Sequence, residues 1–330
     1  MLPLAPTMRI LKAVLLVLGA LLLVVLVYQV GAGPILETMR HLAWWQFVLI
    51  CLPYGVIAAV DTLGWRFAFA RDRAPFWHLY GARVVGEALN IVTAVGQVGG
   101  EAAKAWLVRR DVSYEESIPS IVIAKTTITI AQALFLLIGI VLAWTTLDLG
   151  ASIVRWMLWL LAVEGMAVAG FVGAQVSGLV GRAGRLLVTF GVVNDASSAA
   201  RLDEALRGYY RREWRRCALS IGFHLGGWLL GALEAFVMLW ALGIDASAVT
   251  ATVIEALGSG VRFATFLIPA SLGAFEGANA AAFEALGFGA GAGLAFSLVR
   301  RARQIVWVAI GIGVLLAMRW VAPVSALDPD

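Results

Sequence analysis

Charge, histidine and cysteine are all scarce in this sequence. Only 14% of its 330 residues are charged, and it contains three histidines and two cysteines. Cys51 and Cys217 match no metal-ligand or redox spacing, so we interpret both as packing residues. Because the few ligand and nucleophile residues are not clustered, we expect no catalytic residue, no metal site and no cofactor.

Apolar residues take the place of charge. They make up 61% of the chain, and the mean hydropathy is +0.89. No soluble domain of this length has that balance, so the sequence predicts an all-α integral membrane protein with a single transmembrane domain over residues 1–330. The formal net charge of +4 comes mostly from arginines in a few loops. It indicates membrane orientation and affinity for a lipid surface, and no nucleic-acid partner.

Six apolar segments approach the length of about 20 residues that a membrane-spanning helix needs. They are residues 11–30, 44–63, 118–144, 156–177, 217–242 and 293–318. The first follows two basic residues as a signal peptide would, but its apolar run exceeds the roughly 7–15 residues of a signal core, so we expect an uncleaved span. Arginine-rich loops (64–83, 101–110 and 181–216) alternate with arginine-poor ones. This alternation predicts a multi-pass protein of the inner (cytoplasmic) membrane with both termini in the cytoplasm.

Two further apolar regions are too short or too broken to span. Glycines and polar side chains interrupt residues 84–100, and Pro269 interrupts the Gly- and Ala-rich residues 250–287. Irregular backbone at membrane depth is tolerated only where protein or a water-filled cavity surrounds it. The sequence therefore predicts a re-entrant or broken helix in each region, one from either side of the membrane.

Residues 181–216 carry eight arginines and predict a cytoplasmic linker with an amphipathic helix. Asp195 could cap this helix. One helix face would then hold the apolar side chains Ala199, Leu202, Leu206 and Tyr209. We expect this face to lie on the cytoplasmic leaflet.

The polar residues of the two halves match when the chain is shifted by 175 residues. The matched pairs are Glu101 with Glu276, Lys125 with Arg300, Thr129 with Gln304, and Gln132 with Trp307. Each half thus has small residues, a glutamate, and a cation 24 residues later. The pattern predicts an inverted repeat of residues 45–144 and 217–319, as in many secondary transporters.

The last predicted span contains an arginine cluster. After Arg303 the uncharged run Ile305–Met318 has only 14 residues, so a full span must include Arg300, Arg301 and Arg303. Cations at such depth usually face a cavity or bind an anion, and the arginine fork suits a phosphate. Together with Arg262, these residues are predicted to bind a lipid headgroup; the alternative is that they are interface anchors.

Further substrate-binding candidates come from the repeat. They are Lys125, Glu101, Glu276, Gln304 and Gln132. Lys125 could instead mark the cytoplasmic edge of its span. The two glutamates could cap helices, pair with cations or bind a proton, and Glu164, Glu234 and Glu255 could serve the same purposes.

Three motifs resemble a known family. They are Gly99-Gly100-Glu101-Ala102-Ala103-Lys104, the run from Pro269 to Gly277, and Ser297-Leu298-Val299-Arg300-Arg301. In this order they resemble the flippase-like family, the transmembrane domain of lysylphosphatidylglycerol synthases and its stand-alone relatives, from about Trp45 to Met318. Among these the chain is most similar to small membrane proteins associated with hopanoid biosynthesis. Since the chain ends soon after its last predicted span, the resemblance implies lipid translocation without synthase activity.

We therefore expect a lipid translocase, not an enzyme, whose partners are membrane lipids with an anionic headgroup. One alternative is a scaffold that recruits lipid-biosynthesis enzymes through the basic helix 195–216. The other is a membrane enzyme that acts on lipids. Gly258-Ser259-Gly260 resembles an intramembrane serine protease motif, but Leu257 stands where that motif requires glycine, and the terminal Asp328 and Asp330 are the candidate for metal-dependent glycosyl transfer.

Overall fold

The computed structural model describes residues 6–72, 74–92, 98–146, 151–179, 182 and 197–320. Throughout this part of the chain the regular structure is helical, with no strand. The prediction of an all-α protein is therefore confirmed. Its physical reason is that a helix satisfies its own backbone hydrogen bonds where no water is present.

The helices follow the apolar segments of the sequence. In chain order they are α1 (Pro6–Val30), α2 (Ala32–Arg40), α3 (Trp44–Ala68), α4 (Phe76–Val92), α5 (Val98–Val108), α6 (Tyr114–Thr146), α7 (Ala151–Ser177), α8 (Ser197–Arg212), α9 (Trp214–Ala241), α10 (Ala248–Ala264), α11 (Ala274–Ala285) and α12 (Ala290–Trp320). A 3₁₀ turn, Pro269–Ser271, lies between α10 and α11.

Five described helices are long and apolar enough to cross a membrane: α3, α6, most of α7, α9 and α12. Helices α1 and α2 pass the same test together, but they are bent by 85° at Gly31. The φ angle of Gly31 is +82°, a conformation that glycine adopts without steric cost. The described chain thus provides five spans, or six if the bent pair counts as one, in agreement with the six predicted.

The predicted arginine-rich loops are shorter than expected. The structure ends α3 at Ala68 and begins α4 at Phe76, so the expected loop over residues 64–83 is wrong in extent. Arg83 lies buried inside α4, and most of residues 101–110 belongs to α5. The local density of arginines misled the prediction, because the sequence alone does not distinguish an arginine that pairs with a buried carboxylate from one in an exposed loop.

Both predicted broken regions contain helix breaks. In the first, α4 ends at Val92 and α5 begins at Val98, and residues 93–97 lie outside the described chain. In the second, the break holds two consecutive residues with left-handed backbone, Ala270 (φ +53°) and Ser271 (φ +50°). This conformation is strained for residues that carry a Cβ, so the surrounding structure must hold it in place.

The two halves interlock through small residues. Helix α6 packs against α10, and α12 packs against α4, so the last helix of each half contacts the first broken helix of the other. A Cβ added to Gly139 of α6 would lie 2.3 Å from the Cβ of Ala256, and one added to Gly311 of α12 would lie 2.5 Å from the Cβ of Ala88. Close crossings of this kind stabilise helix contacts in membranes through van der Waals packing.

Helix α8 is amphipathic, as predicted, but its apolar face is covered by protein. Leu206 and Tyr209 are buried in a cluster with Trp65 and other side chains of the bundle. The Tyr209 hydroxyl donates a hydrogen bond of 2.8 Å to the backbone carbonyl of Phe67. The expectation that this face lies on the leaflet is therefore wrong. The proposed cap Asp195 lies outside the described residues.

Candidate functional site

A chain of ion pairs, here called the first cluster, runs through the first half. It comprises Asp61 of α3, Arg83 and Glu87 of α4, Glu101 and Lys104 of α5, and Lys125 of α6. Successive nitrogen–oxygen distances are 2.7 Å, 3.9 Å, 3.4 Å, 3.1 Å and 3.0 Å. Three carboxylates face three cations, so the first cluster is neutral. Burial in lipid is tolerated because every charge has a partner.

The crossing of α3 and α9 encloses one end of the first cluster. The Nδ1 atom of His224 lies 2.8 Å from Asp61, and a Cβ on Gly64 would lie only 2.7 Å from the His224 ring. Glycine at this position therefore makes room for the imidazole. The adjoining cavity, between Trp65, Lys104 and His224, has a volume of about 20 Å³. Such a cavity holds about one water molecule, which is too little space for a lipid headgroup.

The second half contains another group of buried charges, here called the second cluster. It comprises four arginines and three glutamates: Arg262, Arg300, Arg301, Arg303, Glu234, Glu255 and Glu276. Glu255 accepts from two arginines, from Arg262 at 2.9 Å and from Arg300 at 2.5 Å. Arg301 lies 2.8 Å from Glu276, and Arg303 lies 3.0 Å from Glu234.

The second cluster carries an excess of one positive charge among the described residues, since four guanidinium groups face three carboxylates. Arg300 is the eleventh residue of α12, so it lies about 15 Å from the start of the helix at a rise of about 1.5 Å per residue. The Nε atoms of Arg300 and Arg303 have no hydrogen-bond partner in the described chain. The second cluster thus has both a charge and donors to offer an anion.

The ring of Phe275 brings three of these arginines together. The guanidinium carbons of Arg262, Arg300 and Arg301 lie 5.1 Å, 5.8 Å and 5.9 Å from its centroid. Arg262 is the most exposed of the four arginines (31% of its side chain), followed by Arg301 (21%). Arg303 instead stacks on Tyr54 of α3 at 4.5 Å. The structure therefore brings the predicted arginines together, but Arg303 makes its ring contact with Tyr54 and not with Phe275.

Both predicted glutamates lie at the start of a broken-helix segment. Glu276 accepts a hydrogen bond of 2.7 Å from the backbone amide of Gly273 and so caps α11 while it pairs with Arg301. Glu101 lies in the first turn of α5 and pairs with Lys125 at 3.0 Å. The matching contact in the second half is made by Arg301 and not by Arg300, one residue later than the shifted alignment predicted.

The predicted glutamines have different positions. The side-chain oxygen of Gln304 lies 3.4 Å from Arg301, at the edge of the second cluster. Gln132 donates a hydrogen bond of 2.8 Å to the carbonyl of Ser259 and so joins α6 to α10. Gln132 is thus engaged in a helix contact in this structure.

The two clusters are neighbours. Tyr54 contacts Arg303 of the second cluster and lies on α3, two helical turns before Asp61 of the first. Sequence reasoning did not single out Asp61, Arg83 or Glu87 as site residues. The available signal was Asp61 alone in an apolar span, because such a carboxylate requires a buried cation nearby.

Comparison with known proteins agrees with this architecture. The family model for the lysylphosphatidylglycerol synthase TM region matches residues 10–313. No curated protein and no solved structure matches the chain. Residues 10–313 contain five of the six long segments, most of α12, both broken regions and every member of the two clusters. The chain therefore belongs to the family of lysylphosphatidylglycerol synthase transmembrane regions.

Proposed function

We propose that this protein translocates lipids with an anionic headgroup across the inner membrane, without catalytic chemistry of its own. The observation that carries the proposal is the excess positive charge of the second cluster. A cluster with one cation more than its carboxylates is unfavourable in a low-dielectric interior, and a bound phosphate would compensate the excess charge. Arginine can hold a phosphate through two parallel hydrogen bonds.

Arg262 and Arg301 are the first contacts for the headgroup in this proposal. They are the two more exposed arginines, and both lie against Phe275. Arg262 and Arg300 both pair with Glu255. A phosphate can therefore bind Arg262 while Glu255 stays paired with Arg300. Acyl chains would remain in the bilayer during this exchange.

Alternating access between two inverted halves is the proposed mechanism. Each half contains a long helix, two shorter helices around a break, and another long helix, in the order α3 to α6 and α9 to α12. In each half a glutamate beside the break pairs with a cation on the last helix. The crossings also correspond, because α6 packs closely against α10 at Gly139 and α12 packs closely against α4 at Gly311. These correspondences support an inverted repeat, the arrangement that permits two opposite-facing states.

The present structure then corresponds to a closed state, since the cavity at the first cluster holds about one water molecule. Opening requires the halves to separate near the two breaks. The strained residues Ala270 and Ser271 are suited to absorb such a change. The resemblance to hopanoid-associated relatives and the cytoplasmic location of both termini stay predictions.

The test is lipid flipping in reconstituted vesicles with a fluorescent anionic lipid. Arg262→Gln removes the excess charge and leaves every glutamate of the second cluster paired, so we expect a folded protein with at least tenfold slower flipping. Arg155→Gln is the matched control, because Arg155 is an exposed arginine at the start of α7. Equal flipping by Arg262→Gln and the wild type would contradict the role of the excess charge. If the wild type flips no lipid, the proposed function is wrong.

A further inference from the structure

Glu164 is a buried carboxyl group that neither cluster uses. It lies at the centre of the apolar part of α7, Ile153–Ser177. Most side chains of α7 are exposed on the bundle surface, but Glu164 is 0% exposed. Neither of its carboxyl oxygens has a hydrogen-bond partner in the described chain. An ionisable residue at this depth indicates a function by default.

Three helices pack against α7, namely α6, α10 and α8. The contacts that α7 makes one and two turns before Glu164 are apolar: Leu160 lies 3.2 Å from the Cβ position of Gly260 in α10, and Met157 lies 3.4 Å from that of Gly139 in α6. These contacts offer no polar atom that could solvate a carboxylate.

Several charged and titratable groups of these helices pair with other residues. On α6, Lys125 pairs with Glu101, and Glu115 pairs with Arg201 of α8. On α10, Glu255 and Arg262 pair with each other. Helix α8 meets only the far end of α7, where the Tyr210 hydroxyl donates to Gln175 and Arg207 lies beside Gly178.

An isolated carboxylate that is buried without a partner is strongly unfavourable, so the site favours the neutral, protonated acid. Even the neutral acid leaves its hydroxyl group without an acceptor. Leucine or glutamine at this position would cost the fold less. A residue that destabilises the folded state in this way is typical of a functional site.

We propose that Glu164 is a proton-binding site whose protonation is coupled to lipid translocation. The proposal rests on the translocase function, and it identifies the proton as the coupling ion. Helix α10 links the two sites, because it packs against α7 and carries Glu255 and Arg262 of the second cluster. When α10 moves as the halves separate, Glu164 gains contact with water and releases its proton. The return to the closed state requires that a proton is bound again.

Infrared spectroscopy of the purified protein tests proton binding without any transport. We expect a carboxylic-acid C=O band at neutral pH that is absent from Glu164→Gln and retained in Glu204→Gln, a control at an exposed glutamate of α8. Adding vesicles of anionic lipid should reduce the band in the wild type. A spectrum of Glu164→Gln that keeps the whole band would overturn the proposal, as would a wild-type band that does not respond to lipid.

Transport in vesicles tests the coupling. With the membrane potential clamped, a gradient of one pH unit should drive an about tenfold lipid asymmetry if one proton moves with each lipid. Glu164→Gln should still flip lipid but reach a ratio near one, while Glu164→Asp should keep the gradient dependence. Asymmetry in Glu164→Gln equal to that of the wild type refutes coupling. If no variant and no wild type flips lipid, the translocase function fails, and the infrared response to lipid still decides whether Glu164 binds a proton.

Discussion

The Arg303–Glu234 pair offers a sharp test of how the second cluster is held. Arg303 faces Glu234 at 3.0 Å, and only 10% of the Arg303 side chain and 4% of the Glu234 side chain are exposed. Two arginines share Glu255, whereas Glu234 forms an ion pair with Arg303 alone in the described chain. Removing either partner therefore leaves a buried charge uncompensated.

We expect Arg303→Met and Glu234→Leu each to destabilise the protein by about 3–5 kcal/mol, the usual cost of breaking a buried ion pair from one side. The double variant removes both charges, and methionine can keep the contact with Tyr54. It should therefore regain most of the lost stability, since apolar residues of similar volume replace buried pairs well.

Thermal unfolding in detergent measures these stabilities, and flipping in vesicles measures function. The double variant keeps the excess positive charge of the second cluster, because one cation and one carboxylate are lost together. We therefore expect its flipping rate to lie within about threefold of the wild type, a difference below about 1 kcal/mol. The reasoning is refuted if the double variant is no more stable than either single variant.

Two further substitutions test packing and pH dependence. Gly100→Ala places a Cβ 2.0 Å from the carbonyl oxygen of Gly86, so it should destabilise the protein by about 1–3 kcal/mol in thermal unfolding, whereas Gly313→Ala, with no atom within 4 Å, should not. Burial raises the pKa of Tyr210 from 10.0 to about 12. The neutral hydroxyl therefore contributes fully to the stability of the folded state below pH 10, and this contribution is lost between pH 10 and 12. In Tyr210→Phe, alkaline titration followed by circular dichroism should show a smaller loss of stability over that range; an unchanged loss would assign it to other groups.

Much of this architecture was predictable because membrane insertion is governed by local properties of the sequence. The six apolar segments predicted the long helices, and the glycines and Pro269 predicted both breaks. The length and hydrophobicity of a segment are properties of about 20 consecutive residues, so a membrane span can be predicted without knowledge of distant contacts. The arginine group at Arg300 to Arg303 was found for the same reason, since the apolar run behind it is too short to span alone.

Contacts between distant segments were less predictable. Arg83 was assigned to a loop because four arginines lie close together in that stretch, yet it pairs with Asp61 of the preceding helix. The apolar face of α8 was assigned to the leaflet, but Tyr209 and Leu206 are covered by the bundle. In both cases the sequence pattern was recognised correctly. What the residues contact depends on which helices pack together, and the pattern does not contain that information.

By itself, the sequence determined that this is an all-helical membrane protein with two broken regions and cations at membrane depth. These properties follow from hydrophobicity, length and the cost of exposing backbone to lipid. Tertiary structure alone decided which charges pair. It leaves one arginine in excess beside Phe275 and leaves Glu164 without any partner in the described chain, because pairing depends on distances of a few ångström between helices far apart in sequence.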